Sequence, residues 1–217
     1  MNRLRVLGGI ACVVAAAGAT VLAGGWAVVT VRELPDSVPV GEVMRLDLEV
    51  RQHGHSLVSA WPATVEARLG SRVVNATVRP LAEPGTYRAE AVLPVVGTWT
   101  LTISSGLFDV AKVSLPAVKE AGTTVSFAAD ERGQRLFSAK GCATCHRHEA
   151  TSDTRSTDVG PALTGRHYPA AVVAAQVRHP KPCESGRPCM PVLTISDADI
   201  AGLAAFLNRD SGQVAQR

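Results

Sequence analysis

Cys142, Ala143, Thr144, Cys145 and His146 form a C-x-x-C-H run, with two thiols three positions apart and an imidazole directly after the second. Thiols at that spacing can add to the two vinyl groups of one porphyrin, and the adjacent ring is then delivered to the iron on one face. The chemistry implied is covalent attachment of haem c, one per chain, because the run occurs once. Two other uses of the same residues compete with it. A thioredoxin-like redox pair needs a βαβ context and a helix opening at the first cysteine, and the sequence around Cys142 signals neither. A closed zinc site needs four ligands, of which Cys183 and Cys189 could supply two. Their C-x5-C spacing is wide for a zinc knuckle, and in an oxidising compartment the pair is expected to form a disulfide.

A haem iron held by His146 needs a second axial ligand. The chain contains three methionines, Met1, Met44 and Met190. Met190 is the suitable one: it lies well downstream of His146, is followed by Pro191, and precedes a helix whose start is signalled by Ser196 with Asp199 three residues on. His148, His167 and His179 are alternatives for ligation by two imidazoles. His148 is close in sequence to His146 for reaching the opposite face, and His179 stands just before Pro180 at a helix end. Iron held by His and Met has no open position, so it passes electrons rather than binding substrate. No carboxylate pair, nucleophile with base, or nucleotide loop accompanies the motif, so the chain reads as a redox carrier and not as an enzyme.

Over residues 127–210 the chain resembles a class I cytochrome c domain. The resemblance is carried by ERGQRLFSAKGCATCH at 131–146, VGPALTG at 159–165 and CMPVLTISDADIAGLAAFL at 189–207. It implies an all-α domain in which Cys142 and Cys145 are the thioether cysteines, His146 the proximal ligand and Met190 the distal one. It also implies that the carbonyl of Pro161 accepts a hydrogen bond from the second nitrogen of the proximal ring, orienting it. Gly133 and Phe137 resemble the contact of the first helix with the last, where Leu203 and Phe206 approach closely. The departure from the family is the Cys183–Cys189 insertion, which a disulfide would tie down beside Met190. Arg166 and Tyr168 are candidates to meet a haem propionate.

The rest of the chain must position or deliver this domain. Arg3 and Arg5 precede an uncharged run from Val6 to Val31, the order of an export signal. Residues 1–25 are read as a cleaved signal peptide or a retained membrane anchor, since the run is long enough to span about 30 Å of hydrocarbon. Either way the protein is expected in the periplasm or on the outer face of the cytoplasmic membrane. Cys12 lacks the leucine expected of a lipidation site and reads as a spectator thiol.

Residues 26–117 read as all-β. Met44, Leu46, Leu48 and Val50 alternate with Arg45, Asp47, Glu49 and Arg51, the period of a half-buried strand. The alternation returns at Val65, Ala67 and Leu69, at Tyr87, Ala89, Ala91 and Leu93, and at Trp99, Leu101 and Ile103, with turn signals at Glu83-Pro84-Gly85 and Val96-Gly97. WAVVTV at 26–31 is rich in β-branched residues and reads as a first strand. About seven short strands fit an immunoglobulin-like sandwich of two antiparallel sheets. VRQHGH at 50–55, EPGTYRAEAVLP at 83–94 and GTWTLTI at 97–103 make this segment similar to the YtkA-like and FixH-like exported domains. His53 and His55 would share one face of a strand, where they could bind copper, but Gly54 weakens the strand and no Met or Cys cluster joins them, so the pair reads as polar residues at a turn or sheet edge. Residues 118–126 mix Gly, Ser and Thr with small residues and read as a linker.

With 217 residues, 46% hydrophobic and 19% charged, the chain can bury two cores, which excludes disorder. A net charge of +3 without a basic tract gives no reason to expect nucleic acid. The expected protein is an exported monohaem cytochrome that exchanges electrons with a membrane-bound oxidase, reductase or dehydrogenase, the sandwich serving for docking. The alternative is a copper-handling or oxidase-assembly protein with an accessory haem.

Overall fold

A computed structural model describes residues 26–107, 110–151, 156–184 and 187–209. The expected signal or anchor at 1–25, with Cys12, lies outside them. Among the described residues no helix is long and apolar enough to cross a membrane.

The N-terminal part is a sandwich of two five-stranded sheets. One sheet orders β1 (Ala27–Val31), β3 (Val43–Gln52), β8 (Thr86–Val92) and β7 (Thr77–Pro80), with β4 (Ser56–Leu57) folded back onto β3. The other orders β2 (Val38–Pro39), β10 (Val110–Val118), β9 (Gly97–Ser104), β5 (Thr64–Leu69) and β6 (Arg72–Asn75). Every pairing is antiparallel except β2 with β10. The period of two has the expected consequence: Met44, Leu46, Leu48 and Val50 point into the core with Tyr87, Ala89, Ala91, Trp99, Leu101 and Ile103. The polar ends of the buried aromatics are satisfied, Trp99 donating to the Val95 carbonyl at 3.1 Å and the Tyr87 hydroxyl to the Ser59 carbonyl at 3.1 Å. Among the described residues the strands number ten rather than about seven, because β2, β4, β6 and β7 are only two to four residues long and leave little periodic trace.

β1 breaks the half-buried pattern, for all five of its residues are buried. Ala27, Val29 and Val31 face the sandwich core, while Val28 and Thr30 face the other way and are also covered. The cover is the C-terminal domain. Its helices are α1 (Ala129–Ala139), α2 (Cys142–Cys145), α3 (Ala170–Arg178) and α4 (Asp197–Leu207). The Ser196 hydroxyl accepts from the Asp199 amide at 3.1 Å, the capping contact the sequence signals at the start of α4.

α1 runs between α4 and the sandwich, with Ala139 belonging to the sandwich core. The Arg135 guanidinium donates to the Ser114 and Pro35 carbonyls at 2.9 and 3.0 Å and lies over the Phe127 ring. The Lys140 ammonium donates to the Val31 and Arg32 carbonyls at 3.0 and 2.5 Å, at the end of β1. Burial pushes both cations below their ordinary pKa values, and the acceptors they find are what makes their burial tolerable. Arg132 bridges Asp36 of the sandwich and Asp199 of α4.

Candidate functional site

Between α1 and α2 the chain turns at Gly141, whose φ of +76° is the left-handed region that glycine adopts without strain. A Cβ there would also stand 2.3 Å from the Val28 side chain, so glycine lets the turn press against β1. α2 is a single turn that opens at Cys142. The sequence signalled no helix at this cysteine, and the structure corrects that: the His146 amide closes the turn on the Cys142 carbonyl at 2.9 Å. Among the described residues no parallel βαβ unit accompanies it. Burial pushes the Cys142 and Cys145 thiols up to about 12, opposite to the depressed value of a redox-active pair.

The loop carrying VGPALTG is sewn to the C-x-x-C-H segment. The Gly160 amide donates to the Cys145 carbonyl and the Leu163 amide to the Arg147 carbonyl, each at 2.9 Å. The Pro161 carbonyl comes within 3.0 Å of His146 Nδ1. A carbonyl oxygen only accepts, so Nδ1 carries the proton and the lone pair of Nε2 is left for another partner. Gly160 lies against the imidazole face, where a Cβ would come within 2.5 Å of the ring.

Two adjoining cavities of about 210 and 340 Å³ share walls formed by Cys142, His146, Pro161 and Met190. Cys145, Gly160, Pro191 and Leu193 add to the first, and Phe137, Tyr168, Val173 and Leu203 to the second. The sites named from sequence are thus gathered: both cysteines, the histidine, the proline and the methionine line one crevice. The donor set fits haem c, with two thiols, an oriented imidazole with a free nitrogen, and a thioether in largely apolar surroundings. One wall of the first cavity is Val28 of β1, a contribution from the sandwich. A clue was available, because WAVVTV opens with apolar residues at consecutive rather than alternate positions, as expected where both faces are covered.

The alternative ligands lie elsewhere. His148 is buried against the Phe137 and Phe206 rings, 6.0 and 4.3 Å away, and its Nδ1 accepts from the Ala150 amide. His167 and His179 are exposed. Of the two propionate candidates, Tyr168 lines the second cavity and Arg166 lines neither. Cys183 and Cys189 form a disulfide with sulfurs 2.00 Å apart.

His53 and His55 do not share a strand face. His53 and Gly54 are the middle residues of the β3–β4 hairpin turn, with φ of +51° and +83°, and the His55 amide donates to the Gln52 carbonyl at 3.1 Å. The positive φ values are those of a type I′ turn rather than a strand, and the rings have separate partners: His53 lies 5.5 Å from the Trp26 ring and His55 Nδ1 is 2.7 Å from Ser56 Oγ.

The first helix meets the last as the sequence suggests, with Phe137 and Phe206 ring centres 5.3 Å apart. Gly133 stands in this crossing, as the resemblance implies, with Phe206 Cβ 2.7 Å from where its own Cβ would be, but its closest partner is one the sequence did not indicate. Gly133 lies directly on Gly202, so that a Cβ on Gly133 would stand 2.0 Å from the Gly202 carbonyl oxygen.

Residues 128–207 match the family model described as cytochrome C oxidase, cbb3-type, subunit III. No curated protein is similar enough to the chain to count as a match. Among solved structures, a similar chain is the Lin-41 filamin domain, at 14% identity over 47% of this chain and 87% of that one, with a TM-score of 0.31. The chain therefore carries a β-rich N-terminal domain followed by a helical c-type cytochrome domain, one that holds haem covalently and transfers electrons.

Proposed function

We propose that the protein is an exported monohaem cytochrome that carries electrons to or from a membrane-bound oxidase, reductase or dehydrogenase, acting as a carrier rather than as an enzyme. The observation that carries this reading is the His146 imidazole, whose Nδ1 proton is committed to the Pro161 carbonyl within a crevice also lined by both cysteines and Met190. Cys142 and Cys145 would hold the porphyrin through thioethers, and His146 Nε2 and Met190 Sδ would bind its iron. When bound, the haem supplies reversible one-electron chemistry. The residues around it keep that chemistry confined: Pro161 fixes the tautomer and aim of the proximal ring, and the apolar walls exclude water.

Export is supported by the basic start and uncharged run of the N-terminus and by the disulfide, which persists in oxidising compartments. The description of the matching family favours an oxidase among the possible partners. The sandwich, similar in three motifs to YtkA-like and FixH-like domains, is the surface proposed to meet that partner. Purified mature protein should weigh one haem more than its polypeptide. Met190→Ala should remove the weak ferric sulfur-to-iron charge-transfer band, and persistence of the band would show that another residue is the sixth ligand.

A further inference from the structure

The sandwich does more than cover a helix, because it grips the loop that carries Met190. The Cys189 amide donates to the His53 carbonyl at 3.1 Å. Gly54 sits directly on the Cys189 carbonyl, where a Cβ would be 2.1 Å from the oxygen and 3.8 Å from Pro191 Cδ. Both contacts come from the tip of the β3–β4 hairpin, a turn stiffened by its type I′ geometry. The turn is held in turn by Trp26, whose carbonyl accepts from the His53 amide at 3.2 Å and whose ring lies 5.5 Å from the His53 ring. On the far side of Met190, the Leu193 amide donates to the Val177 carbonyl of α3 at 3.1 Å. The segment 189–193 is therefore pinned at one end by the cytochrome domain and at the other by the sandwich.

We propose that the His53–Gly54 turn is a positioning element for the axial methionine, so that the sandwich governs how readily the Met190 sulfur leaves the iron. This rests on Met190 being the sixth ligand. A methionine loop dissociates by local opening, and the free energy of that opening depends on how many backbone anchors must break. The disulfide closes the loop on itself, and the hairpin ties its Cys189 end to the sandwich through a backbone hydrogen bond. Movement of the sandwich, for instance on docking, would then be felt at the iron.

The test is Gly54→Val in the full-length holoprotein, with Gly70→Val as its control. Gly70 has a φ of +58° in the β5–β6 turn, with nothing within 4 Å of a built Cβ, so its substitution brings the backbone strain without the collision. Gly54→Val should weaken the ferric charge-transfer band and raise the rate of carbon monoxide uptake by the reduced protein about tenfold, the scale set by losing one backbone hydrogen bond. Gly70→Val should leave both unchanged. In the wild type, hydrogen exchange at the Cys189 amide should be slow, and Gly54→Val should accelerate it. A folded Gly54→Val protein with unaltered band, uptake and exchange overturns the proposal. So does fast exchange at Cys189 in the wild type, a measurement that stands even if the variant fails to fold. If Met190→Ala abolishes the band while Gly54→Val changes nothing, the ligand stands and the grip falls. If Met190→Ala leaves the band intact, the ligand assignment fails and the grip on the iron fails with it.

Discussion

Gly133→Ala should destabilise the cytochrome domain by about 2 kcal/mol, although alanine is the better helix former. In the interior of α1 the substitution alone would favour folding by about 1 kcal/mol. Against this stands the collision: the new methyl would lie 2.0 and 2.5 Å from the carbonyl oxygen and carbon of Gly202 and 2.7 Å from Phe206 Cβ. Two of those atoms are backbone and cannot rotate away, so α1 must withdraw from α4 by more than an ångström. Withdrawal loosens Leu136 and Phe137 against Leu203 and Phe206, all of them buried. Overpacking of this kind costs about 1–3 kcal/mol, and a backbone collision belongs at the upper end. The net loss of about 2 kcal/mol corresponds to roughly 10 °C in midpoint for a domain of this size. The assay is thermal unfolding of the holoprotein, followed by helical ellipticity and haem absorption. Gly202→Ala provides the internal comparison: its nearest neighbours would be the Ala129 oxygen at 3.3 Å and the Gly133 nitrogen at 3.4 Å. Those contacts are tight but tolerable, and the gain in helix propensity should leave this variant within about 1 kcal/mol of wild type. A Gly133→Ala protein as stable as wild type would refute the proposed close crossing of α1 and α4.

Three further outcomes follow from other contacts. Lys140→Met leaves the Val31 and Arg32 carbonyls without their donor and should cost about 1–2 kcal/mol, part of the loss being offset because a buried cation is removed; limited proteolysis between residues 119 and 128 should quicken, and unchanged cleavage would show that Lys140 does not fasten the domains. Replacing Cys183 and Cys189 together by serine opens a loop with a sequence separation of 6 and should lower stability by up to about 2 kcal/mol, read from the denaturant midpoint. Asp47 is held below the usual carboxylate range chiefly by its hydrogen bonds to Arg88, at 2.7 and 2.8 Å. Its contribution is therefore fully present above the unfolded pKa of about 4 and is lost as pH falls through the lower folded value. Asp47→Asn should flatten that limb of the stability curve by no more than about 1 kcal/mol, since the pair is partly exposed and screened by solvent; an acid limb identical to that of wild type would remove this pair from the account.

The cytochrome segment was legible because its chemistry is local in sequence. Cys142, Cys145 and His146 are adjacent, and the capping pair Ser196 and Asp199 lies within one helical turn. Met190 could be singled out because so few thioethers were available. The sandwich core was legible from its period of two, since Met44 to Val50 and Trp99 to Ile103 bury alternate residues. What escaped the sequence are contacts whose partners lie far apart and whose residue types carry no chemical signal. Nothing about Gly202 announces that Gly133 will rest on it, and nothing in a glycine at 54 points to a carbonyl at 189. The histidine pair falls at a turn, the reading that Gly54 favours over a shared metal. An H-x-H spacing implies a shared face only on a strand, and a glycine at its centre allows the positive φ of a turn, where the geometry is no longer that of a strand.

β1 explains why the two halves form one working unit although each has its own apolar core. A strand covered on one side needs apolar residues at alternate positions only; this one has Val28 outward as well, and that residue walls the crevice containing Cys142, His146 and Met190. Thr30, also outward, donates to the Lys140 carbonyl, and the Lys140 ammonium returns to the carbonyls at the strand's end. Removing the sandwich would therefore take away the Val28 wall of the crevice and strip Arg135 and Lys140 of both their cover and their carbonyl acceptors. Apolar walls around a haem help to set its potential, because water near the iron favours the oxidised, more highly charged state. The sandwich thus belongs to the electronic environment of the site through Val28, by a route separate from its hold on the methionine loop, and a polar substitution at Val28 should shift the potential downward even where that hold is intact.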